Sequence, residues 1–248
     1  MWMHSSAPTN TKSSSRPESA PLRPLRAVLF PEKVRYAEGV RIQEALHARR
    51  VRDEIPDTVL ILEHHPVITL GRRARTGHLV ATPEQLAHLG VDLVTASRGG
   101  EVTWHGPGQV VMYPILKLGG PDDGLHGYLH ALEETAIRTC AGFGVEAFRR
   151  EGMAGCWTTM GKIAAIGFQF KQWVSLHGMS FNVNNDPAGF SLIHGCGLVG
   201  QPVATLAGLL GERCPSPAAV GQALLRNFAR IGGRHLLDIS EPLPTDLA

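Results

Sequence analysis

Between Val145 and Asn182 the chain carries four strand-length runs in succession, Val145–Phe148, Met153–Thr158, Lys162–Phe170 and Trp173–Asn182, parted only by glycines and polar turns. Such a block must pair into a sheet, because a lone strand leaves its backbone polar groups without partners. Apolar residues at helical spacing surround it. Val34, Ala37, Val40, Ile42, Ala45 and Leu46 mark a helix within 34–50, Leu129, Leu132, Ala136, Ile137 and Cys140 another within 125–143, and Pro217–Ile231 a closing one. Strands gathered in the middle, with helices before, between and after, predict an α+β chain: one domain, a mixed sheet packed with helices, rather than a doubly wound fold.

Local signals fill in this frame. Thr82 can cap a short helix with Pro83 at its first position, and Gly90 ends it before a strand over Val91–Thr95. Thr58–Leu70 reads as two strand pieces joined at the polar bend Glu63-His64-His65-Pro66, and Val110–Leu116 as a strand whose Pro114 suits an edge or a bulge. Residues 1–24 are rich in Ser, Pro and Thr and lack the apolar run of a secretory signal, so they read as a flexible tail. A second tail is expected over 239–248, which leaves 25–238 as the folded domain, with ordered structure from near Val28.

The 248 residues are 43% hydrophobic and 19% charged, which excludes wholesale disorder as well as collagen-like and coiled-coil classes. Lysine and arginine exceed Asp and Glu only by 24 to 22, too little to argue for a nucleic-acid or membrane partner. No apolar run approaches the ~18–20 residues of a membrane span. Cysteines 140, 156, 196 and 214 form no CxxC pair, and histidines 64, 105, 177 and 194 lack ligand spacing, so no metal site is expected. This cysteine usage suits reduced thiols in the cytoplasm.

Three features could carry chemistry. In Arg98-Gly99-Gly100-Glu101-Val102-Thr103-Trp104-His105-Gly106-Pro107-Gly108-Gln109, glycines let backbone N–H groups approach a ligand beside fixed side-chain donors, although a tight hairpin would use the same string. It is neither a Walker loop nor a dinucleotide fingerprint. Cys196 lies between Gly195 and Gly197, where an incoming thioester could reach a thiol, or where a small residue completes a turn. Cys140 and Cys156 have the setting of core residues. Lys162 opens the apolar run Ile163–Ile166, so its amine could exchange a proton with a nearby thiol or simply extend to solvent.

The glycine string, Tyr113-Pro114, Gly161-Lys162-Ile163-Ala164-Ala165-Ile166-Gly167, His177-Gly178-Met179-Ser180-Phe181-Asn182 and Cys196-Gly197 together resemble the lipoyl(octanoyl) transferases over about Val59–Leu209. Glu63-His64-His65-Pro66 and Thr69-Leu70-Gly71-Arg72 look like that family's early motif. The resemblance implies the biotin/lipoate protein ligase fold. It also implies transfer of an octanoyl group from octanoyl-acyl carrier protein to a lysine on lipoyl domains of 2-oxoacid dehydrogenases and glycine-cleavage H protein. By the same resemblance Cys196 carries the acyl group as a thioester, Lys162 is its proton partner, and neither cofactor nor ATP is required. Arg98, Gly99, Gly100, Glu101, Val102, Thr103, Trp104 and His105, with Ala165, Ile166, Gly167, Gly178, Met179 and Ser180, would line the acyl tunnel.

Two positions depart from the family pattern: Gly195 stands where proline is expected, and Trp104 where tyrosine or phenylalanine is commoner. An ATP-dependent lipoate protein ligase on the same fold would need no catalytic cysteine, and a non-catalytic acyl-binding or lipoyl-domain-binding protein is the other alternative. The chain is expected to act as a monomer, with Arg72, Arg73, Arg75, Arg149 and Arg150 available to steer acidic partners.

Overall fold

The computed structural model describes residues 22–75, 77–119, 124–194 and 202–237. In chain order its elements are β1 (Arg23–Leu29), α1 (Tyr36–Val51), β2 (Asp57–Leu62), β3 (Val67–Leu70), α2 (Pro83–His88), β4 (Asp92–Thr95), β5 (Val102–His105), β6 (Gln109–Ile115) and α3 (Leu125–Gly142). There follow β7 (Phe148–Arg150), β8 (Met153–Thr158), β9 (Gly161–Lys171), β10 (Val174–Asn182), α4 (Leu206–Leu210), α5 (Pro217–Ile231) and β11 (Arg234–Leu236). Eight strands make one mixed sheet in the order β11-β1-β2-β6-β10-β9-β8-β7, and β4-β3-β5 make a small second sheet. In the large sheet β1 runs parallel to β11 and β2, and the remaining pairs are antiparallel.

Every residue of β2, β6 and β10 is buried, as befits central strands covered on both faces. One face packs on α3 and α5 through Leu132, Ala136, Cys140, Leu224 and Phe228; the other packs on α1 through Ile42 and Leu46. Cys140 and Cys156 both lie in the first of these cores. The α+β, single-domain expectation holds. Thr82 caps α2 as anticipated: its Oγ1 accepts the Gln85 N–H at 3.3 Å while its own N–H donates to Gln85 Oε1 at 2.8 Å.

Several expectations shift. β1 begins at Arg23, so Arg23 and Pro24, assigned to the tail, pair instead with Arg234 and His235 of β11, a strand too short to show a period. Of the expected tails, residues 1–21 and 239–248 lie outside the described residues. The two pieces either side of Glu63–Pro66 enter different sheets, and Val102–His105, read as loop, is β5, paired with β3. On α1 the buried face is Tyr36, Gly39, Ile42, Gln43, Leu46 and His47, which leaves Ala37 exposed. The two polar members are inside because each bonds to backbone. Gln43 Oε1 accepts the His177 N–H at 2.7 Å, and His47 Nε2 donates to Lys171 O at 2.9 Å.

Pro114 does not mark an edge. It sits on β6 in the middle of the large sheet, paired with Val59 of β2 on one side. On the other side its missing N–H interrupts the ladder to β10 between the Met112–Met179 and Lys117–Val174 pairs. His177 in that gap takes a φ of 59° and gives its N–H to Gln43, while Ser175 Oγ donates to Pro114 O at 2.6 Å. The proline thus frees one residue of a central strand to turn towards the cavity described below.

Helix α5 lies close against the sheet at Gly221, where a Cβ would lie 2.7 Å from Ile61 Cγ2. Gly221→Leu is expected to overpack this contact, cost about 2 kcal/mol and lower the melting temperature by roughly 4–8 °C, measured by calorimetry.

Candidate active site

A cavity of about 1100 Å3 lies between the α1 side of the large sheet and the small sheet. Its sheet wall is Val111 and Tyr113 of β6, Ala165, Ile166 and Gly167 of β9, and His177, Gly178, Met179 and Ser180 of β10. The opposite wall comes from Arg98, Gly100, Glu101, Val102, Thr103 and His105 together with Arg72–Arg75. Gly178 faces Gly167 across β10 and β9, and a Cβ at Gly178 would sit 2.4 Å from Met112 O. The wall at this rung is therefore backbone, which leaves width for a chain-like ligand.

Arg98 clamps the glycine loop. It is 7% exposed; its Nε and Nη2 donate to Thr69 Oγ1 at 3.1 and 2.7 Å, Nη2 to Thr69 O at 2.7 Å and Glu101 O at 3.1 Å, and Nη1 to Gly99 O at 3.0 Å. Gly71 N–H donates to Glu101 O, and Gly99 N–H donates to Phe168 O at 3.0 Å, so the loop is stitched to both sheets. Gly99 is accordingly scaffold and does not line the cavity. Trp104 does not line it either: strand alternation in β5 turns the indole into the small core, against Gly106, Gly189 and Phe190.

Lys162, second residue of β9, is half-buried on the cavity wall. Its Nζ donates to Ala154 O at 3.2 Å and stands 4.6 Å from the Trp157 ring centroid. Its backbone holds the strand-like segment that starts at Pro202: Lys162 N–H donates to Pro202 O at 2.9 Å, and Ala204 N–H to Lys162 O at 3.0 Å. Gly161 makes that approach possible, since at its φ of 138° a Cβ would fall 2.2 Å from Pro202 O. Cys196 lies outside the described residues, within 195–201. The residues that flank this stretch, His194 and Pro202, both line the cavity, and His194 N–H is fixed to His78 O at 2.8 Å.

Neutral polar groups gather at the end of the cavity next to α1: His105 and His177 line it, and His64 packs against Tyr36 and His105 without lining it. His64 Nδ1 donates to Val34 O and its Nε2 accepts the Tyr113 hydroxyl, both at 2.8 Å. His105 Nδ1 donates to Gln109 Oε1 at 2.7 Å, and Gln109 Nε2 passes the chain on to Asn182 Oδ1 at 2.9 Å. Burial pushes His64 and His177 down to about 4 and His105 to about 3, with the Arg98 charge acting in the same direction on His105 and His177. Burial likewise pushes the Tyr36 phenol up to about 12. Of the expected tunnel residues, all but Gly99 and Trp104 meet at this cavity, joined by Lys162. Tyr36, Trp157, Phe190 and Pro202 line it too. No spacing in the sequence singled these four out, because each sits on a different element from the glycine string.

The family model of the lipoyl protein ligase A/B catalytic domain matches residues 35–229. Among solved structures, lipoate-protein ligase A bound with ATP shares a TM-score of 0.71 at 14% identity, covering 86% of this chain and 89% of that one. The bi-partite lipoate protein ligase of Thermoplasma acidophilum gives 0.68 at 13%, covering 88% of each chain. At such identities the likeness is one of fold. An octanoyltransferase of Chloroflexus aurantiacus is 42% identical over 202 residues, 80% of this chain and 90% of its own length. One from Geobacter sulfurreducens is 48% identical over 172 residues, 69% and 70% of the two lengths. The class is thus that of lipoyl protein ligase A/B catalytic domains. Within it the chain belongs to the octanoyltransferase family of acyltransferase enzymes.

Above the ordinary histidine value of 6.5, His64, His105 and His177 are neutral whether the chain is folded or not. As pH falls from 6.5 towards 4 the unfolded chain takes up protons that the native chain refuses, so stability drops through that window. Stability is expected to be flat above pH 7 and to fall below pH 6.5 by up to about 1.4 kcal/mol per pH unit per histidine, seen in calorimetry as a melting temperature that drops with pH.

Proposed function

We propose that this enzyme moves an octanoyl group from the phosphopantetheine thioester of acyl carrier protein to the amine of one lysine on a lipoyl domain, by way of a thioester on Cys196. The observation that carries the reading is the position of Lys162 on the wall of a partly apolar cavity, beside Pro202 and opposite the glycine loop. Cys196 is two residues from His194, which lines the same cavity, so the chain between them is short enough for the thiol to work there.

In the first step the Cys196 thiolate attacks the thioester carbonyl; a C–S bond forms, the bond to phosphopantetheine breaks, and the freed thiolate takes up the proton that Lys162 removed from Cys196. In the second step the lipoyl-domain amine attacks the enzyme thioester, loses a proton to Lys162, and Cys196 leaves as thiolate. Exchange of one thioester for another is nearly isoenergetic and the final amide is more stable, so no nucleotide is consumed. Backbone N–H groups of the glycine loop supply donors for the carbonyl oxygen as it gains charge. The octanoyl chain lies along Ala165, Ile166 and Met179, each buried methylene contributing about 0.8 kcal/mol. Acceptors are lipoyl domains of 2-oxoacid dehydrogenases and H protein, in the cytoplasm, with the enzyme acting as a monomer. Among the described residues no helix is long and apolar enough to cross a membrane.

Intact mass after incubation with octanoyl-acyl carrier protein tests the reading. Wild type is expected to gain one octanoyl group that hydroxylamine removes, and Cys196→Ser to gain none. Modification of a lipoyl domain by octanoate and ATP, without any such adduct, would instead identify a ligase. Arg72 and Arg73 stand at the cavity and are exposed, suited to meet an acidic carrier. The double change to glutamate is expected to raise KM for octanoyl-acyl carrier protein about tenfold at low salt and to flatten its salt dependence, leaving kcat within a factor of about two.

A further inference from the structure

The peptide group that joins Ala154 to Gly155 in β8 is bonded at its two ends by side chains of opposite charge. Its carbonyl accepts Lys162 Nζ at 3.2 Å, and its N–H donates to Glu133 Oε1 at 3.1 Å. Regular pairing is disturbed on both sides of this peptide: the β7–β8 register shifts between Phe148 and Arg150, and the β8–β9 register between Cys156 and Trp157. Such bulges re-aim groups beside active sites. Gly155 is required here, since it has a φ of 123° and a Cβ would sit 2.5 Å from Ala164 O. Glu133 reaches the peptide from α3 and is almost completely buried.

Its carboxylate also accepts Arg149 Nε at 3.1 Å, but Arg149 has independent anchors in Glu134 Oε2 at 2.8 Å and His130 O at 3.2 Å. From this geometry we infer that Glu133 is a positioning residue for Lys162, fixing through a single peptide group the carbonyl that holds the amine at the cavity wall. The inference rests on the proton-carrying role proposed for Lys162. An acceptor oxygen at the N–H end fixes the plane of the peptide and with it the direction of its carbonyl. It also locks the bulge, so that Nζ meets the Trp157 ring and the cavity in one place. Glu133 itself touches no substrate.

Two mild variants separate reach from charge: Glu133→Asp keeps the charge and withdraws it by one methylene, whereas Glu133→Gln keeps the reach and an acceptor oxygen. Glu133→Asp is expected to lower kcat for octanoyl transfer about tenfold with KM for octanoyl-acyl carrier protein within about twofold, and Glu133→Gln to retain most of kcat. Hydrogen exchange at the Gly155 amide should speed at least about tenfold in Glu133→Asp, and that variant should cost nothing further in a Lys162→Ala background. Wild-type kcat in Glu133→Asp, with Lys162→Ala strongly impaired, overturns the positioning role. Full activity of Lys162→Ala overturns the reading of Lys162 instead. Wild-type protein tests the bond without any variant: a Gly155 amide that exchanges as fast as an exposed loop amide overturns the inference.

Discussion

One buried guanidinium holds the walls of the cavity together. Arg98 bonds to Thr69 of the small sheet and to the carbonyls of its own loop at Gly99 and Glu101, while Gly99 bonds across to Phe168 of the large sheet. A charge this deep is tolerated only because oxygens surround it, and those oxygens are mainly backbone. Its field spreads beyond the loop. It helps to keep His105 and His177 neutral and works against the upward pull of burial on the Tyr36 phenol. The same side chain therefore shapes the pocket and adds to the effect of burial on the two histidines at its polar end.

The functional groups gather where regular pairing fails. Pro114 opens the β6–β10 ladder and releases His177; the irregular stretch of β8 presents the Ala154 carbonyl to Lys162; Gly161 lets the Pro202 segment run against β9. The first two irregularities are offset locally by side chains that take the unpaired backbone groups, Gln43 and Ser175 at the Pro114 gap and Glu133 on β8. Trp157 adds a further tie, with Arg150 4.5 Å and Lys162 4.6 Å from its ring centroid.

Much of this was legible in the residues. Helices α1, α2, α3 and α5 follow from apolar spacing and caps, and the β8, β9 and β10 runs from β-branched and apolar composition between turns. The glycine string pointed to the cavity because glycine leaves backbone open to a ligand. What stayed hidden obeys non-local rules. Arg23–Pro24 becomes strand only because β11 arrives from the far end of the chain, and Val102–His105 only because β3 pairs with it. Nothing in the apolar spacing turned Gln43 and His47 inward; their backbone partners on β10 and β9 do. Glu133 carried no signal at all, since a glutamate on a helix is ordinarily solvated, and its purpose appears only against the bulge of a distant strand.

The facing glycines of β9 and β10 have a consequence for descent. A Cβ at Gly167 would lie 2.8 Å from Gly99 O, and one at Gly178 would lie 2.4 Å from Met112 O, so neither position accepts a side chain without moving main chain. Drift in this lineage cannot narrow the cavity at that rung one substitution at a time. The shape of the space can diverge through neighbours whose side chains already line it, such as Ala165, Ile166 and Met179, and a duplicated copy would vary those around an unchanging pair.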